Sequence, residues 1–311
     1  MKSLKYLFVL LIAFSVLSYG EEFKVKSVKG SVKLKNGSNW ESISNGDNLK
    51  LSDQIKLDNG ASLKIANSKG NETTVDKSGF YSVAKLSAKI STGGKNVSKK
   101  LANSLLDEMG EADDMLAKGN VNDNMTTLGA VERSFNNKFT SASIVASLPR
   151  SSYALENSMK FTWYPMEGAK DYKFVIKNGT DEVLFEKNVT GTDITIDLAA
   201  IKLPSDECSY WSVSSGKFAS EEFCIFRMSE EQVQNIKGEL NALTSELNLE
   251  NSMDNMILAK FYANNKVVNE ATQYFEKAIS IDPSVEAYKV MYAKYLLSIG
   301  LNDEAMQVVK K

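Results

Sequence analysis

The residues with a spacing suited to bond-making chemistry are two serine–lysine pairs, Ser82-Val-Ala-Lys85 and Ser214-Ser-Gly-Lys217. Such a serine can act as nucleophile, with the lysine as base, when the lysine is desolvated at a helix start. The first pair falls in a stretch that reads as a strand, where period two sends Ser82 and Lys85 to opposite faces. The second falls at a hairpin tip. Neither placement suits catalysis, and in a chain rich in Ser and Lys such spacings arise by chance. Histidine is absent from all 311 residues. That removes the usual proton carrier near neutral pH, the commonest transition-metal ligand, and any Ser-His-Asp or Cys-His site.

Metal binding could then draw only on carboxylates. The cluster Asp107, Glu108, Glu111, Asp113 and Asp114 lacks the alternating oxygen ligands and central glycine of a calcium loop. It reads as the solvated face of a helix. No glycine-rich phosphate loop follows a strand. The sequence therefore leads us to expect no catalytic residue, no metal site and no cofactor.

The two cysteines, Cys208 and Cys224, flank a segment that reads as a β-hairpin turning at Ser215-Gly216-Lys217. A three-residue loop there pairs Ser214 with Phe218 and sets Cys208 opposite Cys224, within disulfide reach. A bridge requires an oxidising compartment. Residues 1–20, MKSLKYLFVLLIAFSVLSYG, supply the route to one: Lys2 and Lys5, an apolar run, then Ser18 and Gly20 before Glu21. This is the pattern of a cleaved signal peptide. An uncleaved N-terminal anchor is the rival, and the only expected membrane contact. No cysteine stands near Gly20, so lipid attachment there is excluded. The expected location is the bacterial periplasm or the exterior.

Hydrophobic residues at 43% and charged residues at 24% suit folded domains, and the length allows two or three of them. Net charge is −2, and only Arg133, Arg150 and Arg227 are arginines, so nucleic acid is not an expected partner.

Residues 21–88 carry many brief period-two runs, among them Leu49 and Leu51, Ile55 and Leu57, and Leu63 and Ile65, separated by Asn36-Gly37, Gly46-Asp47 and Asp58-Asn59-Gly60. They imply a small antiparallel roll. Residues 89–143 form a helical connector, with Val97, Leu101, Leu105, Met109, Ala112 and Leu116 three or four apart. Residues 144–227 return to about seven strands, as in an immunoglobulin-like sandwich with Trp163 between the sheets. Residues 228–311 are helical. The expected fold class is thus multidomain: an all-β roll, a helical connector, a β-sandwich and an α-helical repeat.

Three resemblances sharpen this. Val28-x-Gly30-x-Val32, Trp40, Gly46-Asp47, Ser52-Asp53-Gln54-Ile55 and Gly60-Ala61-Ser62-Leu63-Lys64-Ile65 resemble the FecR-type periplasmic domain over residues 23–88. Only six residues precede the apolar run, too few for the cytoplasmic regulator that sigma-regulating members of that family carry. Phe161-x-Trp163, Gly168-Ala169-x-x-Tyr172 and Tyr210-Trp211-Ser212-Val213 resemble fibronectin type III modules. Leu258, Ala259, Tyr262, Ala271, Phe275, Ala278 and Pro283 resemble a tetratricopeptide repeat, recurring at Tyr292, Ala293, Leu296 and Ala305. Asn255 and Ala259 replace the family's tryptophan and glycine. In that family the first helices line a concave groove for a partner. The resemblance puts Lys260, Asn264 and Lys294 on that groove, above a floor of Met256 and Val290.

Together these imply a non-enzymatic envelope scaffold or adaptor that binds protein partners. The alternatives are a peptidoglycan- or polysaccharide-binding module using Trp40, and an accessory of transport-linked signalling.

Overall fold

The structure, a computed structural model, describes residues 22–37, 39–68, 70–91, 96–119 and 143–310. The targeting segment lies outside the described residues.

Eight short strands come first: β1 (Glu22–Lys29), β2 (Val32–Asn36), β3 (Asn39–Ser42), β4 (Asn48–Lys50), β5 (Gln54–Leu57), β6 (Ser62–Ala66), β7 (Glu72–Val75) and β8 (Gly79–Ser82). They form two antiparallel sheets, ordered β4-β1-β6-β7 and β3-β2-β5-β8. Alternation turns Phe23, Val25, Ile55, Leu57, Leu63 and Ile65 inward to a shared core, while intervening lysines face solvent. At the β1–β2 turn Gly30 has φ +69°, and a Cβ there would lie 3.0 Å from the Ala61 Cα, so only glycine fits.

The next segment departs from the expected strand. Helix α1 (Val83–Ser91) starts directly after β8, and the Ser82 hydroxyl accepts the Lys85 backbone N–H at 3.2 Å, as a helix cap does. Val83, Ala84 and Leu86 are buried on the inner side of that turn. A run this short satisfies helical and strand periods alike, and the serine cap decides between them.

Helix α2 (Asn96–Ala117) carries the apolar stripe read from its three-and-four spacing. Leu105, Met109 and Ala112 are fully buried, and α2 packs on β8 and on the C-terminal helices.

The second β-unit comprises β9 (Ser152–Ala154), β10 (Ser158–Thr162), β11 (Asp171–Lys177), β12 (Val183–Thr190), β13 (Asp193–Asp197), β14 (Cys208–Ser215), β15 (Phe218–Ala219) and β16 (Phe223–Arg227). One sheet runs β12-β11-β14-β16-β9, with β15 on β14 and the short β9 parallel to β16; β10 pairs with β13 in a second sheet. Between them lies a separate core in which Phe161 and Phe174 pack against Trp211, and Trp163 is 3% exposed as expected.

The cysteines are bridged, with Cα atoms 5.3 Å apart, but in another register. Ser215 pairs with Phe218 and Ser214 with Ala219, leaving a two-residue turn. Cys208 then faces Phe226, and Cys224 faces Tyr210. The bridge is diagonal: Cys208 and Tyr210 share a face, so Cys224 reaches the cysteine two residues along.

Five helices follow: α3 (Glu230–Thr244), α4 (Ser252–Asn264), α5 (Val268–Ile281), α6 (Glu286–Ser298) and α7 (Asn302–Lys310). Ser229 and Gln232 close a capping box at the start of α3. From Ser252 to Glu286 and from Val268 to Asn302 is 34 residues each, so two helical hairpins repeat in register. No described helix is long and apolar enough to cross a membrane. The chain is therefore a set of largely antiparallel β-sheets followed by a C-terminal helical region. The first β-unit, α1, α2 and the helical region share one continuous apolar core.

Candidate functional site

Two faces of the helical hairpins carry the residues that could recognise something. On the first-helix face, Met256 and Val290 are buried at 0% and 1% exposure. Lys260 and Lys294 occupy equivalent positions, 34 residues apart. Both are engaged by α2: Lys294 donates to Glu111 at 2.7 Å, and Lys260 makes a short ion pair with Glu108. Glu108 and Glu111 stand three residues apart on one helix, close to a single turn. The expectation of a groove awaiting a partner is corrected here, because the occupant is a helix of the same chain. Its apolar stripe fills the floor, and its acids meet the lysine of each repeat. Two members of the acidic cluster are thus ion-paired, and Asp113 is buried; Asp107 and Asp114 remain on the solvated face.

Asp113 also accounts for the first serine–lysine pair. Its Oδ2 accepts the Ser82 backbone N–H at 3.0 Å. Burial raises the Asp113 carboxyl pKa above the ordinary range, against the opposing effect of the Ser82 hydrogen bonds and Lys85. The Lys85 ammonium lies 5.5 Å from the Tyr81 ring centre and against Gly110 of α2, where a Cβ would come within 2.4 Å of it. Ser82 is 4% exposed. Serine, lysine and aspartate thus join β8, α1 and α2. In the second pair, Lys217 sits over Phe218 at the hairpin tip.

The other face is the edge formed by the hairpin turns, where the chain before and within β9 is strapped across both repeats. Lys266 ends the α4–α5 turn at φ +56°, and Gly300, 34 residues later, ends the α6–α7 turn at φ +79°. The Lys266 carbonyl accepts the Tyr153 N–H at 3.0 Å, and the Gly300 carbonyl accepts an Arg150 Nη1 hydrogen at 2.6 Å. The Val268 N–H donates to the Ser152 hydroxyl at 3.0 Å. Between strap and helices a cleft of about 700 Å³ remains. Arg150, Lys260, Lys266 and Glu221 are its charged lining, and Phe223, Val268 and Ile299 supply apolar wall. Asn264, grouped with the groove lysines by sequence, opens instead onto this cleft.

Arg150 is 7% exposed and lies over the Phe223 ring at 5.2 Å. Its second Nη donates to the Ala146 carbonyl at 3.0 Å, while Nε–H finds no acceptor among the described residues. Desolvation lowers its pKa; Glu304 and Glu221 oppose this from beyond ion-pair distance. Glu304 is itself held by the Tyr164 hydroxyl, whose pKa burial and this carboxylate push up to about 12. Sequence reasoning missed Arg150 and Lys266. The available signal was the repeat itself, since one period places lysine where the next places glycine. Among the described residues no group of three or more acidic or cysteine side chains could hold a metal ion.

No protein family and no curated protein matches the chain. Among solved structures, a β-1,2-glucanase from Parabacteroides distasonis aligns at 12% identity over 54% of this chain and 33% of its own, with a TM-score of 0.22. A likeness that low carries no argument about fold or activity.

Proposed function

We propose that the chain is a non-enzymatic, exported scaffold or adaptor of the bacterial cell envelope that binds protein partners. In this reading a FecR-like roll, a fibronectin-like sandwich and a pair of tetratricopeptide-like hairpins are held as one body. The observation that carries it is the continuous core running from the first β-unit through α2 into the helices. A scaffold needs fixed spacing between its surfaces, and α2 supplies it. The side chains with chemical potential are engaged in folding: Ser82 caps a helix, Asp113 receives its backbone, and Lys260 and Lys294 hold α2. The bridge between Cys208 and Cys224 supports export.

The test is a photo-crosslinking residue at exposed Asn264 in intact cells, with exposed Asn188 as a distant control. The reading expects one discrete adduct from position 264 that mass spectrometry assigns to an exported protein, and none from 188. No adduct, free thiols in protein taken from cells, or glycan turnover by the purified chain would refute it.

One observation favours a second reading, a glycan-binding module. Trp40 and Phe80 lie 5.7 Å apart on the outer side of the β3-β2-β5-β8 sheet, Phe80 is 41% exposed, and Lys56 sits beside it. Two adjacent rings can stack on sugar faces. Purified sacculi should then retain the protein but release Trp40→Ala; equal retention of both removes this reading.

A further inference from the structure

The cleft between strap and hairpins holds two features that the packing of the fold leaves unexplained. The first is the charge of Arg150. Arg150 as a residue is 7% exposed, and a cation so placed loses much of its hydration and is ordinarily matched by a carboxylate in contact with it. Here two backbone carbonyls take hydrogens from its Nη atoms, Nε–H has no acceptor, and no ion pair among the described residues includes it. Glu304, the largest source of opposing field, is already bonded by Tyr164. The second feature is the backbone of Lys266. The equivalent position one repeat later is Gly300, which takes positive φ without a steric penalty, whereas lysine does not. Ser151, next to Arg150, is likewise left-handed, at φ +41°. Two of the four non-glycine residues with positive φ among the described residues therefore line one cleft. Strain of this kind gathers where a side chain is wanted in a particular place. The Lys266 side chain is exposed and its ammonium lies 5.7 Å from the Tyr153 ring centre, a weak contact that an anion in the cleft can replace. Lys260 across the cleft is held by an ion pair with Glu108.

We propose that this cleft is a binding site for a small organic carboxylate, with Arg150 and Lys266 as its cationic contacts and Phe223, Val268 and Ile299 enclosing an uncharged body. The volume of about 700 Å³ lies within the range of ligand pockets and far exceeds what a bare inorganic anion needs. Glu221 on the rim disfavours a multiply charged ligand, so a single carboxylate suits the lining better than a polyanion. The planar guanidinium matches carboxylate oxygens. The hydrogens of its two Nη atoms not taken by the Gly300 and Ala146 carbonyls are the ones left to meet a ligand, with the enclosed Nε–H beside them as the reporter. The carboxylate could be the free end of a peptide or the acid of a uronic sugar. This inference concerns the cleft alone and stands whether or not the chain is a scaffold.

The experiment uses the full chain labelled with nitrogen-15. Only three arginines exist, so the Nε–H region holds at most three signals, and Arg150→Lys identifies the one in question. Three probes are titrated: N-acetyl-phenylalanyl-alanine, its C-terminal amide, and a glucuronic-acid disaccharide. The Arg150 signal should shift with a carboxylate probe and stay unmoved by the amide. The dipeptide acting alone assigns a peptide end, the disaccharide acting alone assigns an acidic sugar, and either supports the site. Lys266→Gly places at that position the residue the second repeat already tolerates, so it should fold like the parent. It should also bind the effective probe about tenfold more weakly, as expected for loss of one cationic contact. An Arg150 signal unmoved by both carboxylates, an equal shift with the amide, or unchanged affinity in Lys266→Gly would overturn the proposal.

Discussion

Reversing the charges that seat α2 offers the most direct test of the self-filled groove. The Lys260 and Glu108 side chains are 18% and 34% exposed, whereas Lys294 and Glu111 are 31% and 65% exposed. Exposed ion pairs are worth about 0.2–1 kcal/mol, so the first pair should lie near the top of that range and the second near the bottom. Lys260→Glu loses the attraction and sets two carboxylates together, for a total cost of about 2 kcal/mol. Glu108→Lys should cost a similar amount. The double swap restores opposite charges and should recover at least half of the summed loss, whereas independent sites would add within about 0.5 kcal/mol. Urea unfolding followed by circular dichroism at the helical band suits the measurement. All three tryptophans, Trp40, Trp163 and Trp211, lie in the β-units, so fluorescence would miss the helices. The corresponding Lys294–Glu111 swap should show weaker coupling that vanishes in molar salt, where the screening length falls to about 3 Å. Additive losses for Lys260 and Glu108 would refute the seating of α2 between the repeats.

Asp113 gives a prediction in pH. Its carboxyl pKa is raised in the folded chain, so the folded state holds the proton more tightly than the unfolded state. That contribution is fully present below the ordinary carboxylate pKa and is lost as pH rises through the raised folded value. Asp113→Asn keeps an acceptor for the Ser82 N–H and removes the charge. It should flatten the fall in stability above about pH 4 and match or exceed the parent at pH 7, read from unfolding midpoints; a steeper fall would count against burial of the charge. Replacing Cys208 and Cys224 by serine opens a link spanning 16 residues and should cost the second β-unit about 3 kcal/mol by chain entropy, seen in tryptophan fluorescence on heating. Asn255, at 0% exposure, donates to the Leu249 and Asn251 carbonyls at 2.9 and 2.7 Å. Asn255→Leu leaves both without that donor and should cost about 2 kcal/mol in the helical transition, whereas Asn255→Asp should not mimic the parent, since it replaces the donor amide with an acceptor.

Much of this organisation is written in local pattern. Period-two runs with Asn-Gly and Asp-Asn-Gly turns placed most strands of the first β-unit, and the 34-residue spacing placed Tyr262, Phe275 and Tyr292 on the helices that bury them. What local pattern could not carry was contact between distant segments. Glu108 and Glu111 look like solvated surface on a helical wheel, because the lysines that meet them lie 152 and 183 residues away. The hairpin register slipped for a different reason. A two-residue turn followed by an irregularity near Ser220 gives the same Cys-to-Cys span as a three-residue turn with regular pairing, and composition does not separate them. Arg150 was counted as one of three arginines and nothing more, since its burial depends on three segments meeting.

The candidate sites follow from one property of the helical region. Two 34-residue hairpins are fewer than a repeat array ordinarily needs to stand alone, so both their first-helix face and their turn edge require cover. The chain covers each with a segment that reads the repeat twice. Helix α2 meets Lys260 and Lys294, and the strap meets the carbonyls of Lys266 and Gly300. Pairs of equivalent positions used this way leave little freedom for the β-units to turn against the helices, because sliding by one register would break both contacts together. Against that constraint the cleft is where cover stops. There the strap contributes a buried cation with no carboxylate among the described residues in contact, and the first repeat contributes a lysine where the second has glycine. Were the cleft only residual space between imperfectly fitting surfaces, glycine at 266 would relieve the backbone strain, and an uncharged donor at 150 could hold the Gly300 carbonyl without burying a charge.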